Sequence, residues 1–471
     1  MQKSNSSPTD LSQQVASARS LYLRYTRTGQ FLAKSRTSVR LTLVKLRWAM
    51  ITIGQRTVDL FLVIPALILT SPIWTFVYLL GNRLGIKFES TDIIGMGGRR
   101  FSALSLTASR PRWRAILEVC RLTQLPLLFN ILKGDISWVG PRALRLSETE
   151  NLDSAARGRF DVRPGLISLW SLRRRTNIDF ENEAQIEQQY VDSKGVLSDI
   201  GILLRGMVTI WYGASGNTTL GEIDILGTRI HNLDMNQALD RIEQLLADLR
   251  GPAQIAFVNP HCANLAYGDP RYSAVLEEST LVLADGIGMK IAGRILGSEI
   301  SQNVNGTDLF PRLCARLETS GKRVFFLGAE PGIPERVAAW TKDQFPGLII
   351  AGFHHGYLTR EEEDAVIQQI HESGADLILV AMGVPHQEIW ISEHLQRLGT
   401  SVAMGVGGLF DFYSGKTPRA PQWLRELGLE WVYRFYREPR RLWRRYILGN
   451  LTFLAKVTVQ ALAYRYRRKA S

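Results

Sequence analysis

A run of apolar residues without a single charge, LFLVIPALILTSPIWTFVYLL, extends from Leu60 to Leu80 and constrains this chain more than any other feature. At about 1.5 Å per residue, a helix of this length can cross the hydrocarbon core of a bilayer. Pro65 and Pro72 interrupt the run, and proline inside a helix kinks or breaks it. Three interpretations remain open: a straight transmembrane helix, a re-entrant helix that bends at Ser71 and Pro72, and a buried core helix.

Positive charge is concentrated at the two ends of the chain, whose net charge is +13. The first 56 residues hold one acid, Asp10, and the segment from Arg419 onward is also basic. Both ends carry aromatic residues and leucine, which favours an anionic membrane surface over nucleic acid as the partner, with a solvated basic face as the alternative. We therefore expect membrane lipid and no nucleic acid as partners, with both ends cytoplasmic if the run is re-entrant.

The three cysteines, Cys120, Cys262 and Cys314, form neither a CxxC motif nor an even-numbered set. This usage is typical of a reducing compartment and indicates no disulfide framework and no structural metal. The first 50 residues contain no apolar core followed by a small-residue cleavage site, so we expect no cleavable secretory signal.

A chain of 471 residues is long enough for two hydrophobic cores. The stretch YGASGNTTLG is small and polar, and it lies between two patterned regions, so we place a linker there. The expected organisation is a basic segment 1–50, a membrane domain 51–212, a linker 213–222, a catalytic domain 223–418 and a basic appendage 419–471.

The C-terminal half alternates short apolar runs with helix-like segments. The runs are QIAFVN, TLVLADG, RVFFLG, LIIAGF, DLILVAMG and SVAMGVG. This alternation predicts an α/β domain with a Rossmann-like parallel sheet covered by helices on both faces. Ligands bind outside the carboxyl ends of such strands. We therefore expect the site near Asn259, Asp285, Gly328, Gly352, Gly383 and Gly405.

The region between residues 56 and 206 has a different pattern. After the apolar run come the Gly-rich GMGGRR, the helix-like PRWRAILEV, and then ILKGDISWVGPRA and VRPGLISLW. These signals predict a small, mainly helical domain with little sheet that lies on the membrane.

From residue 255 to about residue 450 the chain resembles the WecG/TagA/CpsF glycosyltransferases, also called glycosyltransferase family 26. The matching motifs occur in the family's order and are FVNPHCANLA, LADGIGM, NGTDLF, VAMGVPHQE, GVGGLFDFYSG and RAPQWLRELGLEWVYRFYREPRRLWRRY. The resemblance implies transfer of a hexose, of the N-acetylmannosamine type or another, from a UDP-sugar to a sugar on a lipid diphosphate.

Asp285 is the expected catalytic residue. It directly follows the apolar run LVLA and precedes GIG, so its carboxylate would emerge at a strand end, where it can take the proton from an acceptor hydroxyl. The family gives this role to the matching Asp. Capping of the next helix is the alternative, because Asp often precedes a helix.

Three further residues of these motifs, Asn259, Gly286 and Asp308, are expected to bind substrate. Asn259 can hold a substrate hydroxyl with both amide functions, or else be an ordinary turn residue. Asp308 is a second carboxylate candidate, with helix capping as the alternative, and Gly286, like Gly306, allows close backbone approach. Asn303 stands where the family commonly has Arg, which puts an assumed phosphate contact in doubt.

The family also keeps Gln and Glu in its substrate pocket at the positions of Gln387 and Glu388; the alternative is that they form the first turn of a helix. No DxD motif is evident, so we expect no metal and no cofactor, with arginines balancing the charge of the leaving group. These arginines lie in the aromatic-rich C-terminal segment, which the family uses to close its site at the membrane. A solvated basic helix is the alternative. The expected set is Arg434, Arg437, Arg441, Arg444 and Arg445.

The region from residue 56 to residue 206 resembles the bacterial sugar transferases that move a hexose 1-phosphate onto polyprenyl phosphate. The similar stretches are RTVDLFL, LPLLFNILKGDISWVGPR, RPGLISLW and QYVDSKGVLSDIGILLRG. The catalytic Asp and Glu of that family are replaced here by Thr123 and Gln124, and neither can be a carboxylate nucleophile. Other motif residues are replaced by Ile93 and by Ser105, Leu106 and Thr107. We expect a catalytically silent relative that anchors the enzyme.

These expectations describe a membrane-associated glycosyltransferase on the cytoplasmic face of the bacterial inner membrane, acting in exopolysaccharide, capsule or other cell-surface glycan synthesis. Its substrates would be a UDP-sugar and a polyprenyl-diphosphate-sugar, and other polysaccharide-synthesis enzymes are candidate partners. Two alternatives remain. The chain could also perform the phosphosugar transfer, or it could be a non-catalytic membrane scaffold.

Overall fold

A computed structural model describes residues 27–119, 122–149, 154–176, 182–212, 221–248 and 251–470. The contacts divide these residues into two compact units. Unit 1 comprises the described residues up to Ser168 together with Ala184–Leu203, and unit 2 comprises Leu169–Glu183 and the described residues from Leu204 onward. All but the last two residues of the expected linker, 213–222, lie outside the described residues.

The apolar run of unit 1 is divided between two helices. Helix α1 spans Arg27–Leu69 and helix α2 spans Ser71–Leu84, so the helix breaks at Thr70. Pro72 lies in the first turn of α2, where its missing N–H costs no hydrogen bond. Pro65 lies inside α1 and does not end it. The run is therefore not one continuous helix, and the break lies next to Ser71 and Pro72, where the re-entrant interpretation placed its bend. The transmembrane and re-entrant interpretations both stay predictions.

The surfaces of α1 and α2 remain largely apolar and exposed. Phe61, Leu69 and Tyr78 are 77%, 80% and 87% exposed. The segment Ala49–Leu69 is long and apolar enough to cross a membrane, and only 17% of its most apolar window is buried. A buried core helix is thus excluded for this run.

Unit 1 contains more sheet than its sequence predicted. Strands β1 (Ile86–Ile94) and β2 (Arg100–Ala108) pair antiparallel over their full length. Gly97 and Gly98 in the connecting turn have φ values of 66° and 75°, which glycine adopts without strain. Most side chains of β1 are exposed, so the strand lacks the alternating apolar pattern that would have revealed it.

The chain then continues through short elements. They are α3 (Pro111–Val119), α4 (Leu127–Lys133), β3 (Ser137–Val139), β4 (Leu144–Arg145), α5 (Leu146–Thr149), β5 (Gly165–Ile167), α6 (Leu169–Thr176), α7 (Glu183–Asp192) and α8 (Val196–Tyr212). Strand β4 pairs with β1, and β3 pairs in parallel with β5. Helix α6 belongs to unit 2.

Unit 2 begins with the hairpin β6 (Glu222–Ile225) and β7 (Thr228–His231). The elements that follow are α9 (Met235–Ala247), β8 (Ala253–Val258), α10 (Pro260–Gly268), α11 (Pro270–Glu278), β9 (Leu281–Ala284), α12 (Ile287–Leu296), α13 (Gly306–Leu317), β10 (Arg323–Gly328), α14 (Ile333–Gln344), β11 (Ile349–His354), α15 (Arg360–Ser373), β12 (Leu377–Ala381), α16 (His386–His394), β13 (Val402–Gly405), α17 (Leu409–Tyr413), α18 (Gln422–Glu426), α19 (Glu430–Arg437), α20 (Pro439–Trp443) and α21 (Gly449–Ala470).

The sheet of unit 2 confirms the predicted α/β fold. Its six strands have the order β11-β10-β12-β13-β8-β9, and all neighbouring strands are parallel. Each of the six apolar runs forms one strand. Successive strand residues pack on opposite faces: Phe326 joins the core beneath α9, α13 and α14, whereas Phe325 joins the core beneath α15 and α16.

A buried ion-pair cluster joins α6, α8 and α18 within unit 2. The Glu426 carboxylate, with 1% of its side chain exposed, lies 3.1 Å from Nε of Arg173 and also pairs with Arg205. Both arginines come from the stretch that resembles the bacterial sugar transferases. Unit 2 therefore uses residues from that region for its own packing.

Candidate active site

A cavity of about 740 Å³ opens at the carboxyl ends of four adjacent strands, β12, β13, β8 and β9. The loops that follow these strands line it, as expected for a parallel sheet. Gly328 and Gly352 lie at β10 and β11 and are not among its lining residues. The expectation that their neighbourhoods contribute to the site was therefore too broad.

Asp285 lies in the cavity wall directly after β9 and is partly buried. Its backbone N–H donates to the carbonyl of Val258 at 2.8 Å, which ties the β9 end to the neighbouring strand β8. The N-cap of α12 is Gly286, and no side chain caps that helix. The capping alternative for Asp285 is thereby excluded, and the carboxylate faces the cavity.

Burial raises the pKa of the Asp285 carboxyl group above that of an ordinary aspartate. The charges of Arg434 and Arg445 and a hydrogen bond from the Asn259 amide act in the opposite direction. A carboxylate of raised pKa holds a proton more strongly, which is the property that a general base needs.

Asn259 contacts Asp285 and also caps a helix. Its Oδ1 accepts hydrogen bonds from the backbone N–H groups of His261 at 3.0 Å and Cys262 at 3.2 Å, which caps α10. The amide oxygen is thus engaged within the protein, in contrast to the expectation that both amide functions hold a substrate hydroxyl. The Asn259 side chain also lies close enough to Asp285 to lower the pKa of its carboxyl group.

Gly286 and Asn303 hold the loop between β9 and α12. Gly286 has a φ of 92°, and a Cβ added there would meet no atom within 4 Å, so its backbone faces open space in the cavity wall. The backbone N–H of Gly286 donates to Oδ1 of Asn303. Asn303 therefore supports the loop and brings no charge to the place where related proteins commonly have arginine.

Asp308 lines the cavity but is already paired. Its Oδ1 lies 2.8 Å from a guanidinium nitrogen of Arg419, and its Oδ2 accepts from Asn305 Nδ2 at 2.8 Å. The cap of α13 is Asn305, which accepts from the Asp308 backbone N–H. With its charge neutralised by Arg419, Asp308 is a weaker candidate for the base than Asp285.

Gln387 joins two loops of the cavity wall. Its Oε1 accepts from the backbone N–H groups of Gly383 at 3.1 Å and Gly407 at 3.0 Å, and its Nε2 donates to Glu388 Oε1 at 2.6 Å. A Cβ at Gly405 would come within 2.9 Å of Gln387 Nε2, so a larger residue there would displace the Gln387 amide. Gln387 lines the cavity and shapes it through the backbone.

Glu388 lies behind the wall, fully buried and outside the cavity lining. Burial raises its pKa to about 7. The sequence expectation placed Glu388 in the substrate pocket, whereas the structure places it beneath Gln387.

The predicted arginine set divides into two groups. Arg434, Arg437, Arg441 and Arg445 line the cavity, whereas Arg444 is exposed outside it. The guanidinium of Arg434 lies 4.4 Å from the centroid of the Phe412 ring. Nε of Arg434 and Nε of Arg445 are buried and have no hydrogen-bond partner among the described residues. Both arginines can therefore bind an anion inside the cavity.

Several lining residues were not identified from the sequence. Burial, together with the nearby Arg445 charge, lowers the pKa of His261 to about 4, so this ring is neutral at pH 7. Lys290 lies in α12, and Lys416, Arg425 and Tyr433 come from the C-terminal segment. A lysine inside the LADGIGMK stretch was visible in the sequence, but the face of the helix it occupies was not. Within the described ranges, no group of three or more His, Cys, Asp or Glu side chains is arranged to hold a metal ion.

The fold and the cavity define an α/β enzyme with a carboxylate and several arginines at the carboxyl ends of parallel strands. The family model described as "Glycosyl transferase WecG/TagA/CpsF family" matches residues 223–467, more than half of the chain. A second model, "Bacterial sugar transferase", matches residues 50–213. The chain belongs to the WecG/TagA/CpsF family and is a glycosyltransferase.

Curated relatives agree with this assignment. Proteins of Bacillus spizizenii and Bacillus subtilis are 35% and 34% identical over 45% and 46% of this chain, which covers 81% and 85% of their lengths. A Staphylococcus aureus relative is 30% identical over 47% of this chain and 87% of its own length. Each is named N-acetylglucosaminyldiphosphoundecaprenol N-acetyl-beta-D-mannosaminyltransferase.

Proposed function

We propose that this protein transfers a hexose, of the N-acetylmannosamine type or another, from a UDP-sugar to a sugar carried on polyprenyl diphosphate, in the synthesis of a cell-surface glycan. The observation that carries the proposal is the Asp285 carboxylate, which lies beside Asn259 in the wall of an arginine-lined cavity. The names of the relatives support this acceptor class.

The proposed reaction is a single inverting displacement. The acceptor hydroxyl oxygen forms a bond to the anomeric carbon of the donor sugar, while the bond from that carbon to the β-phosphate oxygen breaks. Asp285 takes the hydroxyl proton, and UDP leaves with the bonding electron pair. A base on the attacking side and a charged leaving group on the other side require inversion.

Arginines supply positive charge where a metal-independent transferase needs it. Two diphosphates, one in each substrate, enter this mechanism, and the five lining arginines of the C-terminal segment can provide charge-assisted hydrogen bonds to phosphate oxygens.

The N-terminal region is proposed to anchor the enzyme on the cytoplasmic face of the bacterial inner membrane. Its exposed apolar helices α1 and α2 support a membrane position. Thr123 and Gln124 stand where the related phosphosugar transferases have their catalytic carboxylates, so this region is proposed to be catalytically silent. The segment Pro439–Tyr464 is also long and apolar enough to span a membrane. Its Phe453 and Val457 are fully buried in unit 2, which favours a surface position.

The transferase proposal is tested by incubating the full-length protein with a panel of UDP-sugars and a short-chain lipid-diphosphate sugar. Mass spectrometry should detect the lipid extended by one hexose, and Asp285→Asn should abolish the product. An unextended lipid with every donor would contradict the proposal. If Asp285→Asn left polymer synthesis intact in cells while truncation did not, the chain would instead be a scaffold.

The silence of the N-terminal region is tested in the full-length Asp285→Asn variant, in which the C-terminal reaction is removed. Supplied with UDP-sugars and polyprenyl phosphate, this variant should form no polyprenyl-diphosphate-sugar. Formation of that product would support the bifunctional alternative.

A further inference from the structure

Lys290 is a buried cation in the cavity wall. It lies in the first turn of α12, only 6% of its surface is exposed, and it lines the cavity. Its ammonium group forms no ion pair or hydrogen bond with any described side chain. A buried charge without a partner is costly, and charged groups in such positions are generally paired with a ligand or with another side chain.

The start of α12 adds unpaired backbone donors at the same place. Ile287 and Gly288 are the first residues of this ten-residue helix, and both line the cavity. Their N–H groups lie where an α-helix provides no internal acceptor, and no other described carbonyl accepts from them. Such amides, at the positive end of the helix dipole, bind anions.

The cation at Lys290 is separate from the arginine group. The other lysines and arginines that line the cavity all lie in residues 416–445. Among the described lining residues, Lys290 is therefore the lysine or arginine that comes from the chain before that segment. The charges of Arg434 and Arg445 lower the pKa of Asp285. The pKa of Lys290 is affected instead by the charges of Arg294 and Glu299. Glu299 is engaged with Arg294 at 3.3 Å.

We propose that Lys290 and the backbone amides of Ile287 and Gly288 form the site for the diphosphate of the nucleotide-sugar donor. The assignment rests on the proposed transferase function and adds the residues that hold its donor. Burial lowers the pKa of Lys290 to about 8, and a bound phosphate would counter that effect.

The donor fits this site better than the acceptor does. Two diphosphates in one cavity repel each other, so each needs its own cations. The appendage arginines lie on the segment rich in exposed aromatic residues such as Tyr436 and Trp443, which suits a lipid-linked acceptor.

The test compares Lys290→Met with the wild type in the full-length protein, with UDP as the probe and calorimetry as the measurement. We expect UDP to bind at least about tenfold more weakly to Lys290→Met. Uridine, which has no phosphate, should bind both proteins equally, and Lys290→Arg should restore part of the UDP affinity. The matched control is Lys342→Met, because Lys342 is exposed on α14 and lies outside the cavity lining.

Unchanged UDP affinity in Lys290→Met, or a wild-type protein that does not bind UDP, overturns the inference. If Lys290→Met raised only the KM for the lipid acceptor, Lys290 would belong to the site of the acceptor diphosphate. If it slowed transfer only from donors whose sugar carries a carboxylate, Lys290 would bind the sugar. Either result overturns the inference. Failure of the transferase proposal is recognised separately, because the wild type would then bind UDP without extending any lipid. Thermal unfolding of both variants checks that they fold.

Discussion

Both units bury ionisable groups, but those of unit 1 lie beside a very small cavity, whereas those of unit 2 line a large one. In unit 1, Asp59 accepts hydrogen bonds from the Ser137 hydroxyl at 2.7 Å and the Trp138 backbone at 3.1 Å, and Asp199 accepts from the Tyr190 hydroxyl at 2.9 Å. The cavity beside these two carboxylates has a volume of only about 10 Å³, close to the minimum for one water molecule. In unit 2, Asp285 and Lys290 line a cavity of about 740 Å³.

Both halves of the chain match a transferase family, but their buried carboxylates have different surroundings. In unit 1, Asp59 and Asp199 accept internal hydrogen bonds beside a small cavity. In unit 2, a carboxylate and several cations line a cavity of the size that binds small-molecule ligands. The following experiments test this contrast.

The largest effect is expected for Asp285→Asn. Removing a general base should lower kcat by about 10²- to 10⁴-fold, because the hydroxyl proton then has no acceptor. The measurement is the initial rate of lipid extension under saturating donor. The matched control is Asp92→Asn on the exposed β1 strand of unit 1, which should retain wild-type turnover. An equal loss of kcat in Asp285→Asn and Asp92→Asn would contradict the assignment of the base to unit 2.

Next in size is the effect of Glu426→Gln on stability. This change removes the carboxylate charge from the buried pairs of Glu426 with Arg173 and Arg205, which should cost about 3 to 5 kcal/mol. Chemical denaturation monitored in unit 2 measures the loss. Glu393→Gln is the control, because its pair with Arg271 is exposed and should contribute less than about 1 kcal/mol. If Glu426→Gln were neutral, residues of the N-terminal family region would not stabilise unit 2.

A smaller effect concerns pH. The pKa of Glu388 is raised by burial from 4.5 to about 7, so the folded state binds more protons than the unfolded state between these values. Stability should therefore fall as pH rises from about 4.5 to about 7, by on the order of 1 to 3 kcal/mol, and Glu388→Gln should remove this fall.

Asp199 in unit 1, whose pKa burial raises from 3.8 to about 6, provides the comparison for Glu388. Asp199→Asn should remove a fall in stability between these two pH values without changing the kcat of sugar transfer. Denaturation midpoints across the pH range, measured beside turnover, test both variants. A pH dependence that persists in each would show that other groups cause it.

The smallest effect distinguishes adjacent arginines. Arg445→Gln should raise the KM for the donor or for the lipid acceptor about tenfold, because Arg445 lines the cavity and its Nε has no hydrogen-bond partner among the described residues. Arg444→Gln should change it less than about threefold, since Arg444 is exposed and its guanidinium lies over the Trp443 ring. Steady-state kinetics in detergent separates the two, and equal effects would place both side chains in the same role.

The sequence by itself determined the strands of the large sheet and the position of Asp285. Five of the six strands are buried apolar runs ended by a polar residue or glycine, and that pattern is local. Because parallel strands end at one edge, the residues after them lie at the same edge of the sheet, and Asp285 is one of these. The chain's family followed from motifs of the same local kind.

Only the tertiary structure decided which side chains reach the cavity and which hold its wall. Lys290 faces the cavity and Arg444 does not, because helix packing selects the face that each helix presents. Gln387 binds the backbone of Gly407, 20 positions away, and Arg173 pairs with Glu426 across 253 positions. The β1–β2 hairpin was not predicted, because the exposed strand β1 lacks an alternating pattern of apolar and polar residues. Contacts between distant residues depend on the complete fold, and no local pattern encodes them.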